Sequence, residues 1–175
     1  MKLQNKFLAI LFALALSTQA VAATPQWVGA PKKFYADVTL GAHTPTTSGL
    51  GTGFAYGFNL GYKLQDNVSL GVYLNRSSRD PIPGITISLL NVGGDVTYYF
   101  NNNILMGLQI GPTFETGTFG NLSASDTEFS FGPKLGFSYP LTESLSLGFE
   151  PGAYIVFGET TYAILHFPVV VKVWF

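Results

Sequence analysis

From residue 34 to the C-terminus, bulky apolar positions alternate with small or polar ones at a period of two. That is the pattern of β-strands whose two faces meet different surroundings. Phe34, Ala36, Val38 and Leu40 alternate with Tyr35, Asp37, Thr39 and Gly41, and Phe54, Tyr56, Phe58, Leu60, Tyr62 and Leu64 with Ala55, Gly57, Asn59, Gly61 and Lys63. The scheme continues with Val68, Leu70, Val72 and Leu74, with Leu90, Val92, Val96, Tyr98 and Phe100, and with Ile104, Met106, Leu108 and Ile110. It closes with Phe129, Phe131, Leu135, Phe137 and Tyr139, with Leu145, Leu147, Phe149, Ala153 and Ile155, and with Phe167, Val169, Val171, Val173 and Phe175. Helical periodicity is almost missing. The chain therefore reads as all-β, with about eight strands, an even number and the smallest usual size for a bacterial membrane barrel.

The connections differ in length. Gln65-Asp66-Asn67, Asn101-Asn102-Asn103 and Pro140-Leu141-Thr142-Glu143 are short and rich in turn formers. Residues 44–52, 77–86 and 115–126 predict long polar loops, and 158–161 a shorter one. Short turns at one end and long loops at the other is the outer-membrane arrangement, turns periplasmic and loops extracellular.

An apolar face alone would also suit a soluble barrel or sandwich. The opposite face decides. A wet face carries many Lys and Glu, yet here it is mostly Gly, Ser, Thr, Asn and Tyr. Charged residues are 11% of the chain, against roughly 25% in soluble domains. Small residues suit a lumen with room only for side chains, and the bulky face suits hydrocarbon. Aromatic residues gather at strand ends: Phe34, Tyr62, Tyr98, Phe100, Phe137, Tyr139 and Phe175 toward one rim, and Phe54, Tyr56, Phe114, Phe129, Phe157 and Tyr162 toward the other. Such belts mark membrane interfaces. The fold expected is an eight-stranded antiparallel up-and-down transmembrane β-barrel.

The N-terminus adds a targeting segment. Lys2 and Lys6 precede an apolar run over residues 7–16, and Ala20-Val21-Ala22 offers a small-x-small cleavage pattern. The run falls short of the ~20 residues that span a bilayer, so residues 1–22 read as a signal peptide and 23–175 as the barrel domain. The mature chain resembles the small Gram-negative outer-membrane β-barrel proteins, the OmpA/OmpX/OmpW-like group. The resemblance is sharpest in the last strand, FPVVVKVWF at residues 167–175. Its alternation through Val171, Val173 and Phe175 resembles the signal read by the barrel-assembly machinery, although it lacks a glycine. The resemblance implies outer-membrane lipid and lipopolysaccharide as surroundings and that machinery as a partner in biogenesis. Pro112, Pro133, Pro151 and Pro168 fall inside strands, where each deletes a ladder donor. They are expected to mark β-bulges or upper strand ends, with one wall distorted.

Candidate chemistry is confined to the inward face. Asp37, Lys63, Asp95, Lys134, Glu150 and Lys172 share its parity, three acids and three bases. In a narrow lumen they must pair, because an isolated buried charge is expensive. The pattern predicts a charge network that plugs the barrel, with a narrow passive pore for small solutes as the alternative. A lipid A-modifying enzyme is the weakest reading: neither His43 nor His166 is followed by a serine at the expected spacing, so no catalytic set is assigned. Two dispersed histidines and no cysteine give no metal site. Gly49-Leu50-Gly51-Thr52-Gly53 lacks the Lys of a phosphate loop, and no cofactor is implied. A net charge of −1 leaves nothing to hold nucleic acid. A role as a structural or surface-interaction protein follows, its loop ligand unspecified.

Overall fold

The computed structural model describes residues 33–46, 51–100 and 103–175; the signal segment lies outside them, as do parts of the first loop and of the Asn101-Asn102-Asn103 turn. The strands are β1 (Phe34–Pro45), β2 (Gly53–Gln65), β3 (Val68–Ile82), β4 (Ile85–Tyr99), β5 (Ile104–Phe119), β6 (Leu122–Pro140), β7 (Leu145–Phe149), β8 (Gly152–Phe157) and β9 (Tyr162–Trp174). All pairings are antiparallel between neighbours, and β1 pairs with β9 to close the ring. β7 and β8 are two halves of one strand, since both lie between β6 and β9. The wall therefore has eight strands.

Lateral register sets the barrel's size. Stepping sideways from Val173 leads through Ala36, Leu60, Val72, Gly94, Ile110, Phe131 and Ile155 to Ala163, ten residues from the start. Eight strands with that shear tilt by about 41° and enclose a backbone cylinder of about 8 Å radius. Such an interior holds side chains only.

The burial pattern inverts that of a soluble protein. Phe34, Val38, Leu40, Phe58, Leu60, Val72, Leu74, Ile110, Leu135, Val169 and Val171 face outward, while Asp37, Asn59, Asn75, Asp95, Thr97, Gln109, Lys134, Glu150 and Lys172 are buried. The outer rings meet in belts at both rims. Phe34 packs on Tyr62 at 4.9 Å and on Phe175 at 6.4 Å, while Phe54 meets Tyr56 at 6.3 Å and Phe129 meets Phe157 at 6.4 Å. Tyr162 departs from the expected outer belt. It shares the inward parity of Ile164 and His166, and its hydroxyl donates to Glu115 Oε2 at 2.7 Å.

Two further expectations are corrected. Residues 77–86 and 115–126 are not long irregular loops. β3 and β4 run on to a Pro83-Gly84 turn and β5 and β6 to a Gly120-Asn121 turn, so the wall rises as paired hairpins. Ladder hydrogen bonds satisfy these polar segments, and the glycines supply the backbone the turns require. Gly84 at φ 84° after proline fits a type II turn, and Gly120 stands at φ 57°. The prolines mark neither bulges nor upper strand ends. They lie near mid-strand, and the register on both sides of β6 and of the β7–β8 strand is unshifted. The wall is interrupted all the same. β7 stops before Glu150-Pro151, and the β4–β5 pairing skips from Asn91↔Thr113 to Gly94↔Ile110, past Pro112. Each proline withholds a donor while carbonyls still accept: Leu135 N donates to Pro151 O at 2.9 Å, and Glu150 N to Pro168 O at 3.1 Å.

Candidate functional site: the charged lumen

Alternation points every second side chain of each strand into the cylinder, so distant charges converge. Lys134 on β6 extends its Nζ to Asp95 Oδ2 at 2.9 Å and to Glu150 Oε2 at 3.0 Å. Lys172 on β9 reaches Glu150 Oε1 at 3.5 Å and Asp37 Oδ2 at 3.7 Å. The result is one chain, Asp95–Lys134–Glu150–Lys172–Asp37, every member buried. Thr97 donates to Asp95 Oδ1 at 2.9 Å and anchors the far end. Gly107 makes this possible: a Cβ there would lie 2.6 Å from Lys134 Cε.

Lys63, predicted as the sixth member, stands apart. It is partly exposed at the periplasmic rim, its Nζ 5.9 Å from the Trp174 ring. Its position next to a β2 register irregularity, two residues before the strand ends, lets the long stem leave the lumen. The network is thus three carboxylates held by two ammonium groups.

Aromatic rings close the periplasmic side. The Lys172 ammonium lies 4.8 Å from the Tyr35 ring, 5.7 Å from Tyr99 and 5.9 Å from Trp174, and it donates to Tyr99 Oη at 3.3 Å. These contacts replace part of the hydration that a buried ammonium loses. Gly61 is the space Tyr35 occupies: a Cβ there would fall 2.1 Å from its ring.

Above the charges lies a neutral hydrogen-bonded layer. Asn75 Nδ2 donates to Tyr154 Oη at 2.7 Å, and Tyr154 Oη donates to Gln109 Oε1. Higher still, His43 and His166 are direct partners across β1 and β9, and Arg79 Nη1 stands 3.1 Å from His43 Nε2. Neither layer entered the sequence-based site, although Arg79, Gln109, Tyr154 and Trp174 share the inward parity that selected the six charges. Two small cavities remain among the described residues, of about 30 Å³ and 10 Å³. They have room for about two waters and one.

Val171, Val173 and Phe175, the proposed assembly signal, lie on the lipid face at the closing seam. Phe34 and Phe175 exchange backbone hydrogen bonds, N to O at 3.1 Å and 3.0 Å.

The sequence model of the outer membrane protein beta-barrel domain matches residues 8–170. A comparison with curated protein sequences gives no match. Among solved structures the fold is similar to Neisserial surface protein A, with a TM-score of 0.66, 19% identity, and coverage of 81% of this chain and 97% of that one. It is also similar to Ail, the attachment invasion locus protein of Yersinia pestis, with a TM-score of 0.61, 11% identity, and coverage of 83% and 100%. The N-terminal barrel domain of Pseudomonas aeruginosa OprF follows, with a TM-score of 0.51, 14% identity, and coverage of 79% and 96%. A further Ail structure is a complex with the heparin analogue sucrose octasulfate.

Proposed function

Because the chain belongs to the outer membrane protein beta-barrel domain family, we propose that it serves a structural or surface-interaction role, with its lumen closed by side chains. It is an integral β-barrel of the Gram-negative outer membrane. The observation that carries the closed-lumen reading is the buried chain of five charges, sealed below by Tyr35, Tyr99 and Trp174. A radius of about 8 Å leaves no open channel once such side chains point inward. Planar-bilayer recording of the purified barrel tests it. Rare or no conductance steps are expected, and sustained ion-sized steps would convert the reading to a narrow passive pore.

The extracellular half supports a partner other than a polyanion. It holds two arginines, Arg76 and Arg79, against five carboxylates, Asp80, Glu115, Asp126, Glu128 and Glu159. Arg79 is buried against His43 and turned away from any surface ligand. A sulfated saccharide such as the one held by Ail would meet net repulsion here. In the same reading, lipid and lipopolysaccharide surround the apolar band, and the barrel-assembly machinery takes hold of Val171, Val173 and Phe175. His43 and His166 serve as polar packing of the upper lumen, which fits the contact of His43 with Arg79 and of His166 with the Tyr154 ring better than a catalytic role.

A further inference from the structure

Strand β6 is paired on both sides through the membrane band, but its upper end is not. Its highest pair with β8 is Phe129↔Phe157, whereas pairing with β5 runs on through Thr113↔Glu128 to Phe119↔Leu122. Residues 122–128 therefore carry a ladder on the β5 side alone. Backbone groups along an antiparallel strand alternate between its two neighbours. Leu135 N donates to Pro151 O on the β8 side and Ser138 N to Asn103 O on the β5 side. In this unshifted ladder, odd-numbered residues thus turn away from β5, and at the upper end these are Ser123, Ser125 and Thr127. The Thr127 amide bears this out, since it donates to the Asp126 side chain, Oδ1, at 2.7 Å. The N–H groups of Ser123 and Ser125 and the carbonyls of all three residues are left along this edge.

The edge lacks the usual covers. Residues 122–128, LSASDTE, include no proline and no lysine, which commonly blunt an exposed strand. Above its last pair with β2, by contrast, β3 carries Pro81. What the β6 edge carries instead is negative charge. Asp126 is exposed and Glu128 half-buried, and Glu128 takes repulsion from Glu115, Asp126 and Glu159. A second copy paired at the same edge would bring these acids together, which disfavours self-association. A strand with basic side chains opposite them would be attracted. At the tip, Leu122 is exposed and offers an apolar contact on the same face as Asp126 and Glu128.

We infer that the free edge of β6, from Ser123 to Thr127, is a docking site for an extended basic segment of a partner protein, added as an antiparallel strand. Its backbone pairs with Ser123, Ser125 and the Thr127 carbonyl. Its basic side chains lie opposite Asp126 and Glu128, and an apolar one lies opposite Leu122. This inference rests on the surface-interaction reading and names its partner's chemistry, but the two fail separately. Conductance judges the closed lumen, whereas peptide binding reads only the edge.

The test uses the full barrel refolded in zwitterionic detergent and a fluorescein-labelled peptide, Lys-Thr-Lys-Thr-Val-Thr-Leu. Saturable binding at low ionic strength is expected in fluorescence anisotropy. Methylating the backbone nitrogen of the central threonine, the residue opposite Ser125, keeps the charge and removes one donor. It should raise Kd about tenfold, the loss of a backbone hydrogen bond. Ser125→Pro removes the donor on the barrel side, where it serves no bond to β5, and should weaken binding to a similar degree. Replacing both peptide lysines by glutamate should abolish binding. Absence of saturable binding by the basic peptide overturns the site, as does unweakened binding of the glutamate peptide. An unchanged Kd for the N-methylated peptide or for Ser125→Pro also overturns it, leaving charge attraction without strand pairing. A barrel dimer in sedimentation that Ser125→Pro dissolves would overturn the choice of partner in favour of a second copy. Should Ser125→Pro not fold, the N-methylated peptide decides the matter on the wild-type barrel.

Discussion

Replacing Lys134 by alanine isolates the energetics of the lumen. The change removes both short ion pairs of the network, 2.9 Å to Asp95 and 3.0 Å to Glu150. Glu150 keeps Lys172 at 3.5 Å, but Asp95 retains only the Thr97 hydroxyl. Removing one partner of a buried pair costs about 3–5 kcal/mol, because the other charge stays buried and unpaired. Ser138→Ala removes a buried hydroxyl outside the network and costs about 0.5–1.5 kcal/mol. Urea-induced unfolding in detergent, followed by heat-modifiable gel migration, should therefore separate the two variants by about 2–4 kcal/mol. A double variant, Lys134→Met with Asp95→Asn, should recover about 1–3 kcal/mol of the loss, since it removes the orphaned charge as well. Equal destabilisation by Lys134→Ala and Ser138→Ala would refute the reasoning, as would a double variant no better than the single one.

Three other outcomes are expected. Gly61→Ala drives a methyl group into the Tyr35 ring, at 2.1 Å, and should lower stability by about 1–3 kcal/mol, whereas Gly117→Ala meets nothing within 4 Å and should leave the urea midpoint unchanged. Val72→Lys places a charge on the outer face of β3, four residues in from its first residue, where the side chain is 62% exposed, and should cost about 2–4 kcal/mol on folding into lipid vesicles. Tyr139→Lys, near the rim, should cost about 0–1 kcal/mol in the same assay. Phe175→Ala should reduce the amount of barrel reaching the outer membrane in cells, while spontaneous folding in detergent keeps its yield. An equal loss in both settings would trace the defect to the Phe34–Phe175 closure rather than to recognition.

Strand parity was legible in the chain because it needs only local information. Successive Cβ atoms point to opposite faces, so Val38 and Val171 outside and Asp37 and Lys172 inside follow from counting by twos. The membrane setting followed from which residues the inner face lacks, and five of the six inward charges do meet in one chain. The resemblance to small outer-membrane barrels pointed the same way and agrees with the family match.

Partner choice within the lumen was not legible, because it depends on height as well as parity. A shear of ten residues slides each strand past its neighbour, so Lys134 meets Asp95 two strands away, and Lys63 is left at the rim. Tyr162 was misplaced in the outer belt, although the parity of the last strand, counted back from Phe175, turns it inward. The polar segments 77–86 and 115–126 looked like loops, and only cross-strand pairing could show them as ladders, since a lone strand does not reveal whether its donors find partners. The prolines show the same limit. Their missing donors do interrupt the wall, at Glu150-Pro151 and past Pro112, but only the pairing on both sides shows that the register runs through unshifted, without bulges. Alternation by itself determined a two-faced sheet with its charges on one side. Closure and shear alone decided which charges touch, because only they set the height at which each side chain enters the lumen.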